Sequence, residues 1–495
     1  MLDTPGSDGY KCFDRPRIPP ELWGFVVTRL PADAQRQCLS VSRWFHDLVH
    51  PLVFAHITVH IGIWKAPDAE ESHITTDVQS IKRRIIRNTE LFHHIESSTR
   101  FAQIVKGMTV HAHNIGWSEE DIFAVIRVLQ SLPHLRSFRW YGIPATMRSW
   151  SPETQIFDVL ARTCGPSLTE LITTVTSDWG EDVFFLKFTS LQTLFFEGIP
   201  REYPDDVGPK MIACIVNVPS TLLSLSVTGY VIWNLPLDVF SRLHELSLHK
   251  PPSLESLGVV LEHCTQLRTL DIVTSSLFSG PQVCTALKAA PDALPHLTSF
   301  KLLYLGDAFI SDFAPVFAFI RNKKAMRRLD LKFDVAPEDL DEYTRFLDIF
   351  VDLPQLEVVG LLLLGRIFTR EHMMLLDERL SPRLSALLLT WKFRSLDDDV
   401  LEHGWITTLK KRPLLGYFHI FDRTGNLDLR DRLLEDRLPA LQLVGYGTRL
   451  NWIQRDSPTD EAFYGPPWDD TTIAFRTAAD FEYEDWEWLL RGHID

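Results

Sequence analysis

A short apolar phrase recurs along most of this chain, and it restricts the possible folds more than any other feature of the sequence. The phrase is L-x-x-L-x-L, in which another apolar residue often replaces leucine. Eleven steps separate Leu135 from Leu441, so the repeat is about 28 residues long. The copies start at Phe54, Val105, Leu135, Leu168, Leu191, Leu222, Leu243, Leu267, Leu297, Met326, Leu356, Leu384, Leu415 and Leu441.

Each phrase predicts one short β-strand, and the sequence between two phrases predicts a helix. The apolar residues of a phrase alternate, so they point to one side of a strand. Helical spacing appears between phrases, as in Ile122, Val125 and Leu129. A strand–helix unit of about 20–29 residues is typical of the leucine-rich repeat. We therefore expect an α/β leucine-rich-repeat solenoid over residues 52–450, a parallel-sheet horseshoe with outer helices. An ordinary α/β domain whose strands happen to contain leucine would not repeat the phrase so often.

The N-terminal region does not follow the phrase, and residues 17–51 predict a small all-α module. The first helix begins at the prolines before Glu21, a short second helix runs through Leu39, and the third carries apolar residues at helical spacing from Val41 to Leu48. Pro51 is expected to end the third helix. Three short helices cannot build an independent core. Their surplus apolar faces must rest on the solenoid, on a partner, or on both. Residues 1–16 are expected to be flexible.

This module resembles an F-box. The matching elements are Pro19-x-Glu21-Leu22, Leu30-Pro31 and Val41-Ser42-Arg43-x-Phe45-x-x-Leu48, although the tryptophan of the usual motif is displaced by one position to Trp44. F-box proteins with leucine-rich repeats are abundant in fungi. The resemblance implies docking on the Skp adaptor, which joins a cullin scaffold in an SCF ubiquitin ligase, and it implies a protein substrate selected by the repeats. The implied adaptor contacts are Pro19, Leu22, Val26, Leu30, Leu39, Val41, Phe45 and Leu48.

A second interpretation of the module stays open. Any solenoid needs capping elements at its ends. The chain would then be a leucine-rich-repeat interaction scaffold unrelated to ubiquitin, whose N-terminal helices serve only as a cap.

The residues between the leucines of each phrase are the candidate substrate contacts. They point away from the core, into the hollow of the horseshoe. An exposed apolar patch usually marks a binding site, and the later repeats place Val358 with several leucines on this face. We expect substrate contacts at Arg139, Tyr141, Phe195, Glu197, His249, Asp271, Lys301, Leu303, Asp330, Lys332, Leu362, Leu388, His419 and Phe421. The alternatives are a phase wrong by one residue, or a patch covered by the C-terminal tail.

The C-terminal tail, residues 451–495, is acidic and rich in aromatic residues. From Asp456 onward it carries eleven acidic residues against Arg476 and Arg491. Disordered acidic tails are poor in aromatics, whereas this one has three tryptophans beyond Asp456, at Trp468, Trp486 and Trp488. We expect it to pack on the open end of the solenoid or along its strands. The competing hypothesis is a disordered motif that binds a partner.

The sequence shows no spacing typical of catalysis or cofactor binding. His244-Glu245 with His249 is one residue too long for a zinc H-E-x-x-H motif, and Gly445-x-Gly447 lacks the third glycine of a dinucleotide loop. We expect no enzyme activity, no cofactor and no metal.

Charge and cysteine usage limit the partners and the compartment. The net charge of −15 disfavours nucleic acid, and no apolar stretch is long enough to span a membrane. The six cysteines form no C-x-x-C pair, which is typical of a reducing cytoplasmic or nuclear compartment.

Overall fold

The computed structural model describes most of the chain and leaves the N-terminus and parts of the connecting loops outside the description. The described residues are 19–30, 32–62, 78–112, 119–142, 153–174, 187–197, 212, 215–216, 221–228, 231–274, 279–304, 314–332, 340–363, 370–391, 398–422, 429–436, 438, 440–455, 461–468, 481 and 483–493. The expectation for residues 1–16 lies outside them.

One sheet of 16 strands runs through the described chain, and its strand order is the order of the sequence. Neighbouring strands are parallel from β1 to β14, and the last two pairings are antiparallel. The strands are β1 (His56–Ile61), β2 (Gly107–Ala112), β3 (Ser137–Gly142), β4 (Glu170–Thr174), β5 (Thr193–Glu197), β6 (Ser224–Thr228), β7 (Glu245–His249), β8 (Thr269–Thr274), β9 (Ser299–Tyr304), β10 (Arg328–Lys332), β11 (Val358–Leu363), β12 (Ala386–Trp391), β13 (Tyr417–Asp422), β14 (Leu443–Tyr446), β15 (Arg449–Gln454) and β16 (Phe463–Tyr464).

Helices lie in most of the described connections between the parallel strands and also form the N-terminal module. They are α1 (Pro20–Thr28), α2 (Ala32–Cys38), α3 (Arg43–Val53), α4 (Val78–Ser97), α5 (Thr99–Ile104), α6 (Glu119–Gln130), α7 (Glu153–Cys164), α8 (Leu237–Phe240), α9 (Leu257–His263), α10 (Ser279–Ala289), α11 (Ala314–Arg321), α12 (Leu340–Val351), α13 (Arg370–Arg379), α14 (Asp398–Lys410), α15 (Arg430–Glu435) and α16 (Glu484–Leu490). A 3₁₀ turn covers Val231–Asn234.

The phrase residues build the core, and the predicted strand phase is confirmed. In β10, Leu329 and Leu331 are buried in the main apolar cluster, which continues from repeat to repeat along the solenoid. Leu329 pairs in register with Phe300 on one side and Val359 on the other, so equivalent residues of successive repeats stack. Each such buried side chain contributes roughly 1.5–3 kcal/mol, but only beside its neighbours, because one repeat cannot cover its own apolar face. The predicted leucine-rich-repeat solenoid is therefore confirmed.

The N-terminal module is held together by a few internal contacts. The Ser42 hydroxyl accepts a hydrogen bond from the Phe45 backbone N–H at 3.2 Å and so caps α3. The Phe45 ring meets Trp23 of α1 edge to face, with centroids 5.3 Å apart. Val27 and Val49 are the fully buried residues of these helices. The three helices therefore share a small apolar centre.

The expected end of α3 at Pro51 is wrong. The helix continues to Val53 with the proline inside it. Proline removes one helical hydrogen bond, but the last turn gains tertiary contacts with the solenoid. Phe54, the residue after the helix, packs its ring against Phe101, with centroids 5.3 Å apart.

The C-terminal edge of the parallel sheet is closed by a hairpin. Gly447 has a φ of +55° in the tight turn after β14, and β15 returns antiparallel along that strand. An uncovered strand edge would leave a row of backbone groups unpaired. Leu450 of β15 also bridges to Trp468. The boundary expected between residues 450 and 451 therefore falls inside a strand, and Phe463–Tyr464 and Trp468 pair with that strand.

Candidate protein-interaction surfaces

The face of the sheet opposite the helices, called here the concave face, has two halves of different character. It is formed by the residues that alternate with the buried phrase residues. The N-terminal half comprises β1 to β7 and the C-terminal half comprises β8 to β14. The predicted substrate contacts fall on both halves.

Polar and aromatic side chains cover the N-terminal half. His60 stacks on His111, and His111 stacks on Tyr141, with ring centroids 4.6 and 5.4 Å apart. Arg139 pairs with Glu170 of the next strand at 2.8 Å. These contacts run across β1 to β4 and form an ordered polar surface.

Four predicted substrate contacts lie on this half with partly accessible side chains: Arg139, Tyr141, Phe195 and His249. Phe195 and His249 meet edge to face, with centroids 5.8 Å apart. The fifth, Glu197, pairs through its backbone with Thr174, and its side chain lies outside the described residues. Burial raises the pKa of the Tyr141 hydroxyl, and the charges of Arg491 and Glu487 also act on it. Glu487 also acts on the charge of Arg139, so residues 487–491 lie near β3 of this half.

The C-terminal half is covered by residues 483–493, called here the tail segment. Its helix α16 contacts β11 and β12. Together with strand residues, Trp486, Leu489 and Leu490 form an apolar cluster separate from the main core. The strand members of this cluster are Val358, Ala386, Leu388, Tyr417, Leu443 and Leu450. Trp486 lies 5.8 Å from the ring of Tyr417, centroid to centroid.

Two glycines, Gly360 in β11 and Gly416 just before β13, let α16 come close to the sheet. A Cβ atom on Gly416 would lie 2.6 Å from the Trp486 ring, and one on Gly360 would lie 2.9 Å from Leu489. Neither distance is compatible with ordinary van der Waals contact, so any larger residue would push the helix outward. These two glycines interrupt the apolar stripe where the helix crosses it.

Lys301 of β9 binds the C-terminal end of α16. Its ammonium donates to the backbone carbonyl of Trp488 and, at 2.6 Å, to that of Arg491. The last carbonyls of a helix lack helical partners and carry partial negative charge. The same ammonium lies 4.7 Å from the Trp488 ring centroid. A buried lysine therefore both caps and orients the helix.

Two further polar anchors fix the helix. The Arg327 guanidinium donates to both carboxylate oxygens of Asp485, at 2.8 and 2.7 Å, a bidentate geometry that is both strong and specific. The Trp488 indole N–H donates to Asp271 of β8 at 3.1 Å. Each anchor joins the tail segment to a different repeat.

A buried polar cluster lies at the end of the tail segment. His493 bonds to Asp330 at 2.9 Å, and Lys301 lies 3.3 Å from the same carboxylate. Burial lowers the pKa of His493, the largest effect on it, although Asp330 opposes this. Burial tends to raise the pKa of Asp330, but His493 and Lys301 together bring it below its usual value. Asp330 is thus charged beside Lys301.

His419 of β13 is a second buried histidine on the C-terminal half of the concave face, and it is neutral. Its Nε2 bonds to the Gly447 carbonyl at 2.8 Å, and its Nδ1 pairs with the Tyr417 hydroxyl at 2.9 Å. Because a carbonyl only accepts, Nε2 carries the hydrogen and Nδ1 accepts from the tyrosine. Burial lowers the pKa of His419 to about 3.

The expectation that the C-terminal half is an open substrate surface is therefore wrong for five of its residues. Their side chains do face away from the core as predicted, but they lie under or beside the tail segment and are buried: Lys301, Leu303, Asp330, Leu388 and His419. The alternative given by the sequence, that the C-terminal tail covers this apolar patch, matches the structure of this half. Asp271, Lys332 and Phe421 keep partial exposure. Leu362 pairs through its backbone with Thr390, and its side chain lies outside the described residues.

The N-terminal module presents a second candidate surface, and this one is uncovered. Leu22, Phe25 and Val41 are 54%, 61% and 64% exposed. Val26 and Trp44 are also exposed. Of the other implied adaptor contacts, Pro19 is exposed, whereas Leu30, Leu39, Phe45 and Leu48 are half-buried. Phe25 and Trp44 were not predicted as surface residues, although both follow the helical spacing of the module.

Metal binding and thiol reactivity depend on the His, Cys, Asp and Glu side chains of the described residues. Among them, no group of three or more His, Cys, Asp or Glu side chains could hold a metal ion. Cys164 and Cys264 are buried, and burial raises the pKa of both thiols to about 12, so neither supplies the thiolate that reactivity requires. No described helix is both long and apolar enough to cross a bilayer.

Comparison with known proteins shows similarity in fold only. No protein-family profile and no curated protein matches the sequence. Among solved structures, the chain is similar to the leucine-rich-repeat-containing protein LegL7 from Legionella pneumophila, with 15% identity over 61% of this chain and 88% of that one and a TM-score of 0.35. It is also similar to the Rad7 and Elc1 complex of yeast, with 15% identity over 61% of this chain and 74% of that one and a TM-score of 0.35.

The class of this protein follows from its own strands, helices and register. It is a leucine-rich-repeat solenoid with a small helical module at its N-terminus. Solenoids of this kind are interaction scaffolds, because each repeat adds surface rather than enclosing a pocket.

Proposed function

We propose that this protein is a non-catalytic substrate-recognition subunit of an SCF-type ubiquitin ligase. In this proposal the N-terminal module binds a Skp-type adaptor, and through it a cullin scaffold, while the solenoid binds a protein substrate. The observation that carries the proposal is the exposed apolar surface of α1 and α3.

The size of that surface favours docking over a capping role. Five large apolar side chains of a module of about 35 residues are exposed. Contiguous apolar surface on a soluble protein usually marks an interaction site. A helical cap would instead turn these side chains onto the first repeat. Three of them, Leu22, Val26 and Val41, occupy positions that the F-box resemblance assigns to the adaptor.

The substrate surface in this proposal is the N-terminal half of the concave face. Its side chains Arg139, Tyr141, Phe195 and His249 retain accessible area, whereas the C-terminal half is filled by the tail segment. Such a receptor performs no chemistry. It holds the substrate beside an enzyme and raises the effective concentration of the target lysine.

The adaptor interaction is tested with the double variant Leu22→Asp, Val41→Asp. Interface hot spots are worth about 2 kcal/mol or more each, so we expect at least about a 30-fold loss of affinity for a purified Skp-type adaptor, measured by calorimetry. The matched control is Met374→Asp on α13, where the methionine is as exposed as Phe25 but lies in the solenoid. It should bind normally. Undiminished binding by the folded double variant, or no binding by the natural chain, would leave the capping role as the function of the module.

A further inference from the structure

The tail segment lies on the concave face in the way that a bound peptide lies on a receptor. It adds no strand to the sheet, and side chains hold it. We propose that the C-terminal half of the concave face is a binding groove for a short acidic, tryptophan-containing helix, that the tail segment occupies this groove in cis, and that a partner protein carrying the same pattern binds by displacing it. The inference does not depend on adaptor docking.

The groove recognises an acidic residue at the start of the helix. Arg327 holds Asp485 through two hydrogen bonds, and Arg328 lies 3.4 Å from the same carboxylate. Arg328 is nearly buried, so its charge is directed at this position rather than at bulk solvent. An incoming peptide therefore needs a carboxylate here.

A tryptophan in the second turn is recognised by two cations and a carboxylate. Lys301 lies 4.7 Å and Arg328 lies 4.9 Å from the centroid of the Trp488 ring. Asp271 accepts its indole N–H. No other side chain combines a large π face with an N–H donor at this reach, so this position selects tryptophan.

The far end of the groove recognises where the helix stops. Lys301 donates to the Trp488 carbonyl in the last turn and to the Arg491 carbonyl after it, and His493 bonds to Asp330. Between them Gly492, whose φ is +84°, packs against Leu303 and Val273. The full recognition pattern is thus Asp, Trp, Trp, Leu, Leu, Gly and His at the spacing of residues 485–493.

The solenoid is complete without this segment, which makes displacement physically reasonable. The main apolar cluster includes residues from most repeats but none from the tail segment. The tail segment joins only the separate concave cluster. Exposing that cluster would be unfavourable, so the groove should not stay empty. Exchange of one occupant for another of the same chemistry avoids this cost.

Tethering makes the cis occupant a strong competitor. A short linker gives an effective concentration in the millimolar range. A trans peptide that binds the free groove with micromolar affinity should therefore appear about 10³-fold weaker against the intact chain. This difference is the signature of a groove with an exchangeable occupant.

The experiment replaces residues 471–478 of the full chain with a protease recognition sequence and compares the protein before and after cleavage. A fluorescent synthetic peptide of residues 479–495 is titrated in by polarisation. We expect exchange with micromolar apparent affinity after cleavage and about 10³-fold weaker binding before it. A peptide with Ala479→Ser, at a residue outside the tail segment, should bind equally well. A peptide with Asp485→Lys should bind at least 10-fold more weakly, and Arg327→Glu in the protein should restore part of that loss.

Three results would overturn the inference: a cleaved chain that never exchanges its tail, equal binding before and after cleavage, or an unfolded cleaved chain. Hydrogen exchange on the natural chain tests the same point without cleavage. The amides of α16 should exchange faster than those of β10 to β12, because displacement requires local opening. If the amide hydrogens of α16 exchanged only when the whole protein unfolds, the tail segment could not be a displaceable occupant of the groove.

Discussion

The two halves of the concave face are built from the same repeat, yet one keeps partly accessible side chains while the other is covered by the tail segment. At the first concave position of the strand, β2, β3 and β6 have Gly107, Ser137 and Ser224, whereas β11, β12 and β14 have Val358, Ala386 and Leu443. The leucines of the phrase are equivalent in both halves, so they fix the solenoid but not its surface. The residues between them decide which part of the face water can cover and which part needs another segment of chain.

The covered half also concentrates buried charge. Lys301 and Asp330 are both almost fully buried under the tail segment, and an uncompensated buried charge is strongly destabilising. Their pairing with each other and with the helix end removes this cost. The N-terminal half keeps its Arg139–Glu170 pair partly in water, where an ion pair contributes little. Charges therefore support the tail in one half and remain available to a ligand in the other.

The largest expected difference between the halves is produced by one added carboxylate. Leu388 is fully buried under the tail segment, so Leu388→Asp should destabilise the protein by about 3–5 kcal/mol, as an unpaired buried charge does. Ser224→Asp on the other half should stay within about 0.5 kcal/mol, as surface substitutions do. Urea unfolding measures both. If both substitutions changed the free energy of unfolding by similarly small amounts, the C-terminal half would not be covered by the tail segment.

A smaller effect should follow from adding one methyl group beneath α16. Gly416→Ala places a Cβ atom 2.6 Å from the Trp486 ring, and such overpacking costs about 1–3 kcal/mol. The matched control is Gly258→Ala in α9, where no heavy atom lies within 4 Å of the new Cβ. That control should be neutral or slightly stabilising, because alanine favours helix. Thermal unfolding followed by tryptophan fluorescence compares the two. Equal melting temperatures would place α16 farther from the sheet.

The smallest expected effect is a pH dependence that belongs to the covered half. Burial lowers the pKa of His419 to about 3 and also lowers that of His493. In the unfolded chain both return to about 6.5. Below that pH the unfolded chain binds protons that the folded chain does not, so stability is lost as the pH falls.

At pH 5.5 the loss from His419 should be about 1 kcal/mol relative to pH 7.5. Asp330 does not contribute in this interval, because its lowered pKa affects stability only below about 3.9, the ordinary value of an aspartate. Urea unfolding at several pH values should show a shallower slope for His419→Gln than for the natural chain. An unchanged slope would mean that His419 is not shielded from water.

Local periodicity was sufficient to predict the solenoid. Fourteen apolar phrases predicted the positions and the phase of β1 to β14, because the direction of a side chain on a strand is set by its own backbone. A surplus of apolar surface on the N-terminal module was also expected, since about 35 residues cannot bury so many apolar side chains, but the sequence left open whether the solenoid or a partner covers it. The end of α3 at Val53 was not predicted. A proline near a helix end is tolerated where tertiary contacts replace the helical hydrogen bond that it removes.

The sequence by itself determined which residues form the core, which line the concave face, and that an acidic tail rich in tryptophan had apolar surface to bury. Only the tertiary structure decided where that tail lies. Lys301 and the Trp488 carbonyl that it binds are 187 residues apart in the chain, and no periodic pattern relates them. Their contact depends on how the repeats stack and on where the chain returns after its last strand. The spacing within one repeat carries no information about either, because that spacing reports only the geometry of neighbouring residues.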